Sequence, residues 1–502
     1  MSLASRRGLA LLSGLLLYLS FPSLFAMGFE AWPGWVAWLA LVPLLLALDG
    51  QERRQGFWLG LSAGLAFFVP GLHWLTKVQP LGGGAWPAWL ALAAWCAAFV
   101  GLFGALATEG LRRGWPQPLL WMPAAWTLLE WLRERLLTGF PWMTLGGSQF
   151  ANPALRPLAA LTGSHGLHYA VALGNVLLFT MVFHPRRLCR WSQCLPAVAM
   201  ALALAGGAAW QARAQARWTA AQAGQPKLRV AVVQGGLDLD QVYTPEFRAK
   251  VLGLYLGYSK QAAAAGARLI VWPESSFPGF FNEGGPEALA LKAFARQANV
   301  SLIFGSVLST GQGYQNAALS LDAEGNTRTY AKRHLVPFGE YLPLADWVPG
   351  LRRALGDMGV AFFQPGASGV HFQAQGLAVQ PMICFESVFP CLARADGPMD
   401  LISIHTVDTW YGVSSCPVYH ASQAALRAVE NGCWVARAAA TGISLFAGPD
   451  GGLGSTLGLE GAGWMAQDLG PGRPTPYGRW GEWFLLCCGL GLLLAALWRR
   501  KI

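Results

Sequence analysis

The chain has 502 residues, 54% of them hydrophobic and only 12% charged, with 24 Trp and a formal net charge of +10. That is more apolar surface than one water-soluble core can hide, so spans across a bilayer are expected. The positive balance comes from Arg pairs set beside apolar runs rather than from one basic face, which speaks for membrane orientation and against nucleic-acid binding.

Seven apolar segments come first, at roughly 8 to 26, 32 to 48, 57 to 75, 86 to 108, 117 to 133, 167 to 183 and 194 to 210. Each approaches the ~20 residues that a helix needs to cross the hydrocarbon layer. The first follows Arg6 and Arg7 but offers no small-x-small cleavage site near Phe25, so an uncleaved signal anchor is expected. Arg6/Arg7, Arg53/Arg54, Arg112/Arg113 and Arg186/Arg187/Arg190 fall at alternate connections, and Arg499/Arg500/Lys501 follow a last apolar run from about Trp483 to Trp498. Because excess Arg and Lys mark the cytoplasmic side, seven crossings from inside place residues 216 to 479 outside, and an eighth brings the C-terminus back. The expected organisation is a seven-span domain over 1–215, an extramembrane domain over 216–479 and a C-terminal span over 480–502. A long outward loop, 133 to 168, carries Phe140, Pro141 and Trp142. Two readings of it stand open, aromatic anchoring at the interface and the shaping of a lipid entrance.

Past residue 226 the pattern changes to strands alternating with helices. Strands are expected at 228 to 234, 267 to 274, 301 to 307, 316 to 322, 377 to 383, 401 to 405, 434 to 439 and 442 to 447, the fourth turning through Asp322 to Asn326 in hairpin fashion. Helices are expected over Pro245 to Ala264 and from about Tyr419 to Asn431, the latter stopped by Gly432. One α/β domain accounts for this half. Three polar residues close apolar strands or open the turns after them: Glu274, Lys332 and Cys384. A surface ion pair and an inert core thiol are one reading of these three. The other is nucleophilic catalysis, in which a carboxylate takes the thiol proton while an ammonium stabilises the thiolate and then an oxyanion.

The stretches Trp272-Pro-Glu-Ser275, KRHLVPFGEYLP from Lys332 to Pro343 and ICFES from Ile383 to Ser387 occur in that order behind seven expected spans and ahead of one. Together with LLTGFPW, Leu136 to Trp142, they resemble the bacterial apolipoprotein N-acyltransferases, membrane-embedded members of the nitrilase superfamily. The resemblance implies a multi-pass helical membrane bundle of eight spans carrying an α-β-β-α sandwich. It implies Cys384 as nucleophile, Glu274 as general base and Lys332 as oxyanion stabiliser, with Glu340 and Glu386 as supporting carboxylates and Phe385 where the family usually has Tyr. It also implies a ping-pong reaction that passes a fatty acyl chain from a phospholipid, phosphatidylethanolamine being the donor expected, through a Cys thioester to the amine of a diacylglyceryl apolipoprotein. No cofactor, metal or nucleic acid is expected. The expected setting is a monomer in a bacterial inner membrane, both termini cytoplasmic and the catalytic domain periplasmic.

Three places depart from the family pattern: Thr406 to Gly412, Arg437 to Gly442, and Tyr243 in place of a Trp. They leave open a paralogue that acylates a different amine, and the triad alone leaves open a membrane-tethered amidase. Tyr341 to Phe363, with Trp347, Phe362 and Phe363, reads either as a lid over an acyl pocket or as ordinary packing. His334 and His405 read as structural, Gly451 to Thr456 as a turn without the Lys of a phosphate loop, and Gly163 to Gly166 as a loop. The nine Cys contain no CxxC and no zinc-like Cys/His spacing, and a disulfide among Cys391, Cys416 and Cys433 stays open.

Overall fold

The structure is a computed structural model that describes residues 1–22, 29, 32–78, 84–185, 191–237, 244–311, 313–343, 350, 362–367, 369–394 and 397–498, the side chains of 191–194 excepted. The first half is helical: α1 (Leu3–Leu19), α2 (Ala37–Ala40), α3 (Val42–Leu48), α4 (Arg53–Gly71), α5 (Ala85–Arg112), α6 (Pro118–Arg135), α7 (Arg156–Thr162), α8 (Ser164–Phe183) and α9 (Trp191–Ala221). Among the described residues four helical stretches, Arg53–Lys77, Ala85–Arg112, Ser164–Phe183 and Leu195–Ala221, are long and apolar enough to cross a membrane, and Gly34–Leu48 and Trp483–Leu497 are shorter apolar helices. The α4/α5 pair shows why these sequences pack without a water-driven core. Gly56, Gly60 and Gly64 line one face of α4, and a Cβ on any of them would lie within 2.6 Å of Gly104 O, Val100 O or Ala97 Cα on α5. Small residues every fourth position let two backbones close on each other, which is how helices associate in lipid.

The apolar residues that stay exposed complete the picture. On the last helix Leu486 and Leu497 are 77% and 68% exposed, a surface suited to hydrocarbon rather than water. The expected loop at Gly163 to Gly166 is instead the start of α8, with Gly163 at φ 70 preceding Ser164. That positive φ is what lets the chain turn directly from α7 into α8.

The second half contains two six-stranded sheets, with strand orders β12-β1-β2-β3-β4-β5 and β11-β10-β9-β8-β7-β6. The strands are β1 (Leu228–Gln234), β2 (Leu269–Val271), β3 (Ser301–Thr310), β4 (Gly313–Leu321), β5 (Thr327–Ala331), β6 (Phe372–Ala374), β7 (Leu377–Ile383), β8 (Leu401–Thr406), β9 (Trp434–Ala439), β10 (Ser444–Ala447), β11 (Leu453–Leu457) and β12 (Gly463–Leu469). β1, β2 and β3 run parallel, as do β7, β8 and β9. Alternation along β1 shows the layering. Val230 and Val232 meet Val379, Ile383 and Ala436 of the other sheet, while Ala231 and Val233 face α10 (Pro245–Ala264) and α11 (Pro286–Ala298) through Val251, Tyr255 and Leu291. The outer face of the second sheet, Ile402 and Ile404, packs on Val418, Ala421 and Ala424 of α12 (Ser415–Asn431). Helix, sheet, sheet, helix is therefore the order of layers. Strands buried on both faces read as continuous apolar runs, which is why their sequence signal is strong.

Several elements were not anticipated. β5, β6, β11, β12 and α11 are additional, and Gly451 to Thr456 is a turn only at its start before β11 begins. β2 is shorter than the apolar run from 267 to 274, because Pro273 has no N–H to continue the ladder. Asp322 makes the expected hairpin turn, accepting from Asn326 N at 2.8 Å and Asn326 Nδ2 at 2.9 Å. Tyr243 and most of the stretch read as a lid, 344–349 and 351–361, lie outside the described residues.

Candidate active site

The carboxyl ends of β2, β5 and β7 bring the three polar residues into one cavity of about 530 Å³, lined by Glu274, Lys332, Cys384, Glu340 and Asn316 among others. All three are buried: Glu274 is 7% exposed, Lys332 1% and Cys384 6%. The reading of Glu274 and Lys332 as a solvated surface pair therefore falls.

Glu274 is held from two sides. Its Oε1 accepts from Asn316 Nδ2 at 2.7 Å and its Oε2 from Val407 N at 2.9 Å, while Lys332 Nζ stands 3.8 Å from Oε1. Lys332 Nζ also donates to Glu340 Oε1 at 2.9 Å and lies 2.9 Å from Glu340 Oε2. Asn316, on β4, bridges the two acids, since its Nδ2 also donates to Glu340 Oε1 at 2.9 Å. Glu340 Oε2 further accepts from Val336 N at 2.8 Å. Two carboxylates thus share one ammonium and one amide, an arrangement that fixes all four side chains.

These contacts set the proton affinities. Burial pushes the Glu274 carboxyl up to about 7, with Lys332 opposing and Glu340 adding to the rise. Burial alone would make Lys332 give up its proton, but the charges of Glu340 and Glu274 outweigh it and hold the ammonium well above the usual lysine range. Burial, reinforced by the charge of Glu274, pushes the Cys384 thiol up to about 12, against the pull of Lys332. At neutral pH the site thus holds a protonated thiol, a carboxyl near its midpoint and a permanent cation. A thiol of this kind reacts when a base takes its proton during attack.

Cys384 begins a short turn directly after β7 with φ 51, a left-handed backbone conformation that is strained for a residue with a side chain. Glu386 is one element that holds it there. Its carboxylate accepts from Ile383 N at 2.8 Å, from Arg333 N at 2.8 Å, from His334 N at 3.1 Å and from the Tyr330 hydroxyl at 2.8 Å. Burial raises its pKa, yet four donors match the four acceptor positions of an ionised carboxylate. Glu386 therefore ties the turn at Cys384 to the backbone that follows Lys332.

The turn reaches into the helical half. Phe385, Val388, Phe389, Cys416 and Tyr419 belong to one hydrophobic cluster with Phe67, Phe68, Trp74 and Trp142. Phe385 stacks on Phe140 of the loop after α6, with ring centroids 6.1 Å apart and planes at 30°. The buried guanidinium of Arg133 pins that loop, donating to Phe140 O at 2.7 Å and Trp142 O at 2.8 Å, and Glu130 Oε1 accepts from Leu145 N at 2.8 Å. The loop thus packs against the turn at Cys384 instead of lying free at an interface.

His405 is structural, as expected: its Nδ1 lies 2.7 Å from Trp272 O and its Nε2 3.1 Å from Ser403 Oγ, and burial drops its pKa to about 4. His334 packs on Phe389 at 4.2 Å between ring centroids. Cys391, Cys416 and Cys433 are all free thiols. Among the described residues one grouping has metal-ligand chemistry, Glu134, His165 and Glu482, and it lies outside the cavity of Cys384. Two groups were not visible from the sequence: Asn316, whose only signal is a polar residue opening the run NAALSL, and a buried set of Asp408, His420 and Arg437 behind Cys384.

Residues 13–177 match the family described as Apolipoprotein N-acyltransferase N-terminal domain, and residues 229–469 match Carbon-nitrogen hydrolase. An apolipoprotein N-acyltransferase of Geobacter metallireducens is 33% identical, the alignment covering 98% of this chain and 95% of that protein. One of Azotobacter vinelandii is 34% identical over 94% of this chain and 92% of that protein. Among solved structures, an amidase from Nesterenkonia sp. aligns with 52% of this chain and 96% of its own, at 21% identity and a TM-score of 0.39.

Proposed function

The chain belongs to the apolipoprotein N-acyltransferase family, and from that membership we propose that it transfers a fatty acyl chain from a phospholipid, through a thioester on Cys384, to the N-terminal amine of a diacylglyceryl-cysteine apolipoprotein. The observation that carries this reading is the convergence of Glu274, Lys332 and Cys384 in one buried cavity whose nucleophile turn is packed into the helical half.

In the first half-reaction Glu274 takes the thiol proton as Cys384 Sγ attacks the ester carbonyl. Lys332 stabilises the oxyanion, the ester C–O bond breaks, and the lysophospholipid leaves with the proton from Glu274. In the second, the acceptor amine attacks the thioester, Glu274 takes its proton, the C–S bond breaks and Cys384 leaves to recover a proton. Glu340 and Asn316 hold the acid and the ammonium in place, and Glu386 holds the turn. Ester to thioester to amide needs no nucleotide, which suits a periplasmic site. Eight spans, both termini cytoplasmic and residues 216–479 in the periplasm, set the cavity beside the outer leaflet. Phosphatidylethanolamine is the proposed donor, and the chain works as a monomer.

The test is intact mass spectrometry of the purified protein after incubation with labelled phosphatidylethanolamine. One fatty acyl adduct that hydroxylamine removes, absent in Cys384→Ser, is the expected result. Adding a diacylglyceryl lipopeptide must then yield N-acyl peptide. Free fatty acid in its place means that water resolves the thioester, and the chain is then an amidase.

A further inference from the structure

The left-handed conformation of Cys384 exposes its carbonyl to a set of side chains that plays no part in the reaction described above. Ser387 Oγ donates to Cys384 O at 2.8 Å, and His420 Nε2 lies 3.1 Å from the same oxygen and 3.0 Å from Ser387 Oγ. The other ring nitrogen, Nδ1, stands 3.1 Å from Asp408 Oδ1 and 3.3 Å from Arg437 Nη2. Arg437 Nη2 donates to Asp408 Oδ2 at 2.6 Å, and the Thr406 hydroxyl donates to Asp408 Oδ1 at 2.9 Å. His420 is 2% exposed, Asp408 2% and Arg437 0%. Trp142, from the outward loop of the helical half, covers the imidazole with ring centroids 6.0 Å apart.

The carbonyl of Cys384 is an acceptor, so Nε2 binds it only when Nε2 carries the proton. Nδ1 is then bare, and of its two neighbours Arg437 Nη2 at 3.3 Å donates to it while Asp408 Oδ1 at 3.1 Å only flanks it. The buried Asp408/Arg437 pair therefore fixes the ring beside the Cys384 carbonyl, Arg437 favouring the proton on Nε2 while Asp408 accepts from Thr406 and from Arg437.

The geometry points to His420 as a positioning residue: with the Asp408/Arg437 pair behind it and Trp142 against it, it holds the Cys384 carbonyl and thereby aims Sγ at the ester carbonyl. The inference rests on Cys384 being the nucleophile. It assigns His420 no proton transfer, because a ring bonded on both nitrogens and closed off from the cavity has no path to Sγ or to the leaving oxygen.

The two ring nitrogens make the inference testable in the full-length protein, because Gln places an amide nitrogen where Nε2 was and Asn only where Nδ1 was. Single-turnover acylation by phosphatidylethanolamine, followed by intact mass, should fall about a hundredfold in His420→Asn, the scale of a misaimed reacting atom. His420→Gln should recover to within about tenfold of the parent, since its amide N–H reaches the same carbonyl. Reaction of the thiol with iodoacetamide, a small electrophile that any approach can reach, should keep the parent pH profile in both. Ser387→Ala, which removes the neighbouring donor and little volume, should slow acylation several-fold, and it serves where His420→Asn does not fold. Acylation at the parent rate in both His420→Asn and Ser387→Ala overturns the inference, as does a His420→Gln protein no faster than His420→Asn. Acylation surviving in Cys384→Ser instead sinks the assignment of the nucleophile itself, so the two failures are distinct.

Discussion

Replacing Glu274 by Gln tests the assignment of the base, because it keeps the volume and removes the proton acceptor. With a thiol near 12, the thiolate at pH 8 is about one part in ten thousand of Cys384, whereas Glu274, near 7, is about nine-tenths ionised. A base placed to take the proton in the transition state is worth about 10² to 10⁴ in rate, or about 3 to 5 kcal/mol of barrier. Acyl-enzyme formation in Glu274→Gln should fall by that factor at pH 8. The pH profile should change as well. The parent rate rises with pH through about 7, because the protonated carboxyl below that pH cannot accept, and then levels. In the variant the inflection near 7 disappears and the rate climbs about tenfold per pH unit with the thiolate. Rapid-quench mass spectrometry from pH 5.5 to 10, with parallel melting curves to exclude unfolding, reads both. An inflection near 7 that persists in Glu274→Gln, or a loss smaller than tenfold, refutes Glu274 as the base.

Lys332→Met should abolish acylation and also lower the melting temperature. It leaves Glu274 and Glu340 buried without their shared cation, a loss on the order of 3 to 5 kcal/mol that thermal denaturation in detergent will show. Gly305→Ala should slow acylation at least tenfold although it alters no reacting group. Its Cβ would stand 2.5 Å from Glu274 Cα, from Pro273 O and from Ser275 N, so the backbone that carries Glu274 must move, while iodoacetamide should still label Cys384. Phe140→Ala should cost about 2 kcal/mol and slow lipid acylation more than alkylation, because the ring that stacks on Phe385 is lost from the loop of the helical half.

What could be read before the fold was known follows from which physical signals are local. β1, β7, β9 and the helix Pro245–Ala264 appear with the bounds expected of them, because each is an apolar run buried on one or both faces and closed by a polar or small residue. β11 and β12 did not stand out, since Leu453–Leu457 is largely exposed and both are Gly-bearing strands whose identity comes from pairing with β10 and β1. Glu274, Lys332 and Cys384 were visible because strand ends deliver them. Asn316 was not, because its partners Glu274 and Glu340 are distant in the chain. Arg437 was hidden for a related reason: in WVARAA a charge reads as a solvated break, and only Asp408 across the sheet makes its full burial tolerable.

The packing of the turn at Cys384 bears on why the two halves form one chain. In a free-standing sandwich, Phe385, Val388, Phe389 and Tyr419 would face water, a patch of the kind that drives association. Here they complete a cluster with Trp74 and Trp142, and the same contacts bring the loop pinned by Arg133 onto Phe385 and His420. The helical half therefore does more than hold the catalytic half at a membrane. It packs against the turn in which Cys384 keeps its strained backbone, through Phe140 on Phe385 and Trp142 on His420. Strain at a reacting residue persists only where its surroundings over-determine it. At Cys384 those surroundings come from both halves, through Glu386 and His420 of the second and through Phe140 and Trp142 of the first.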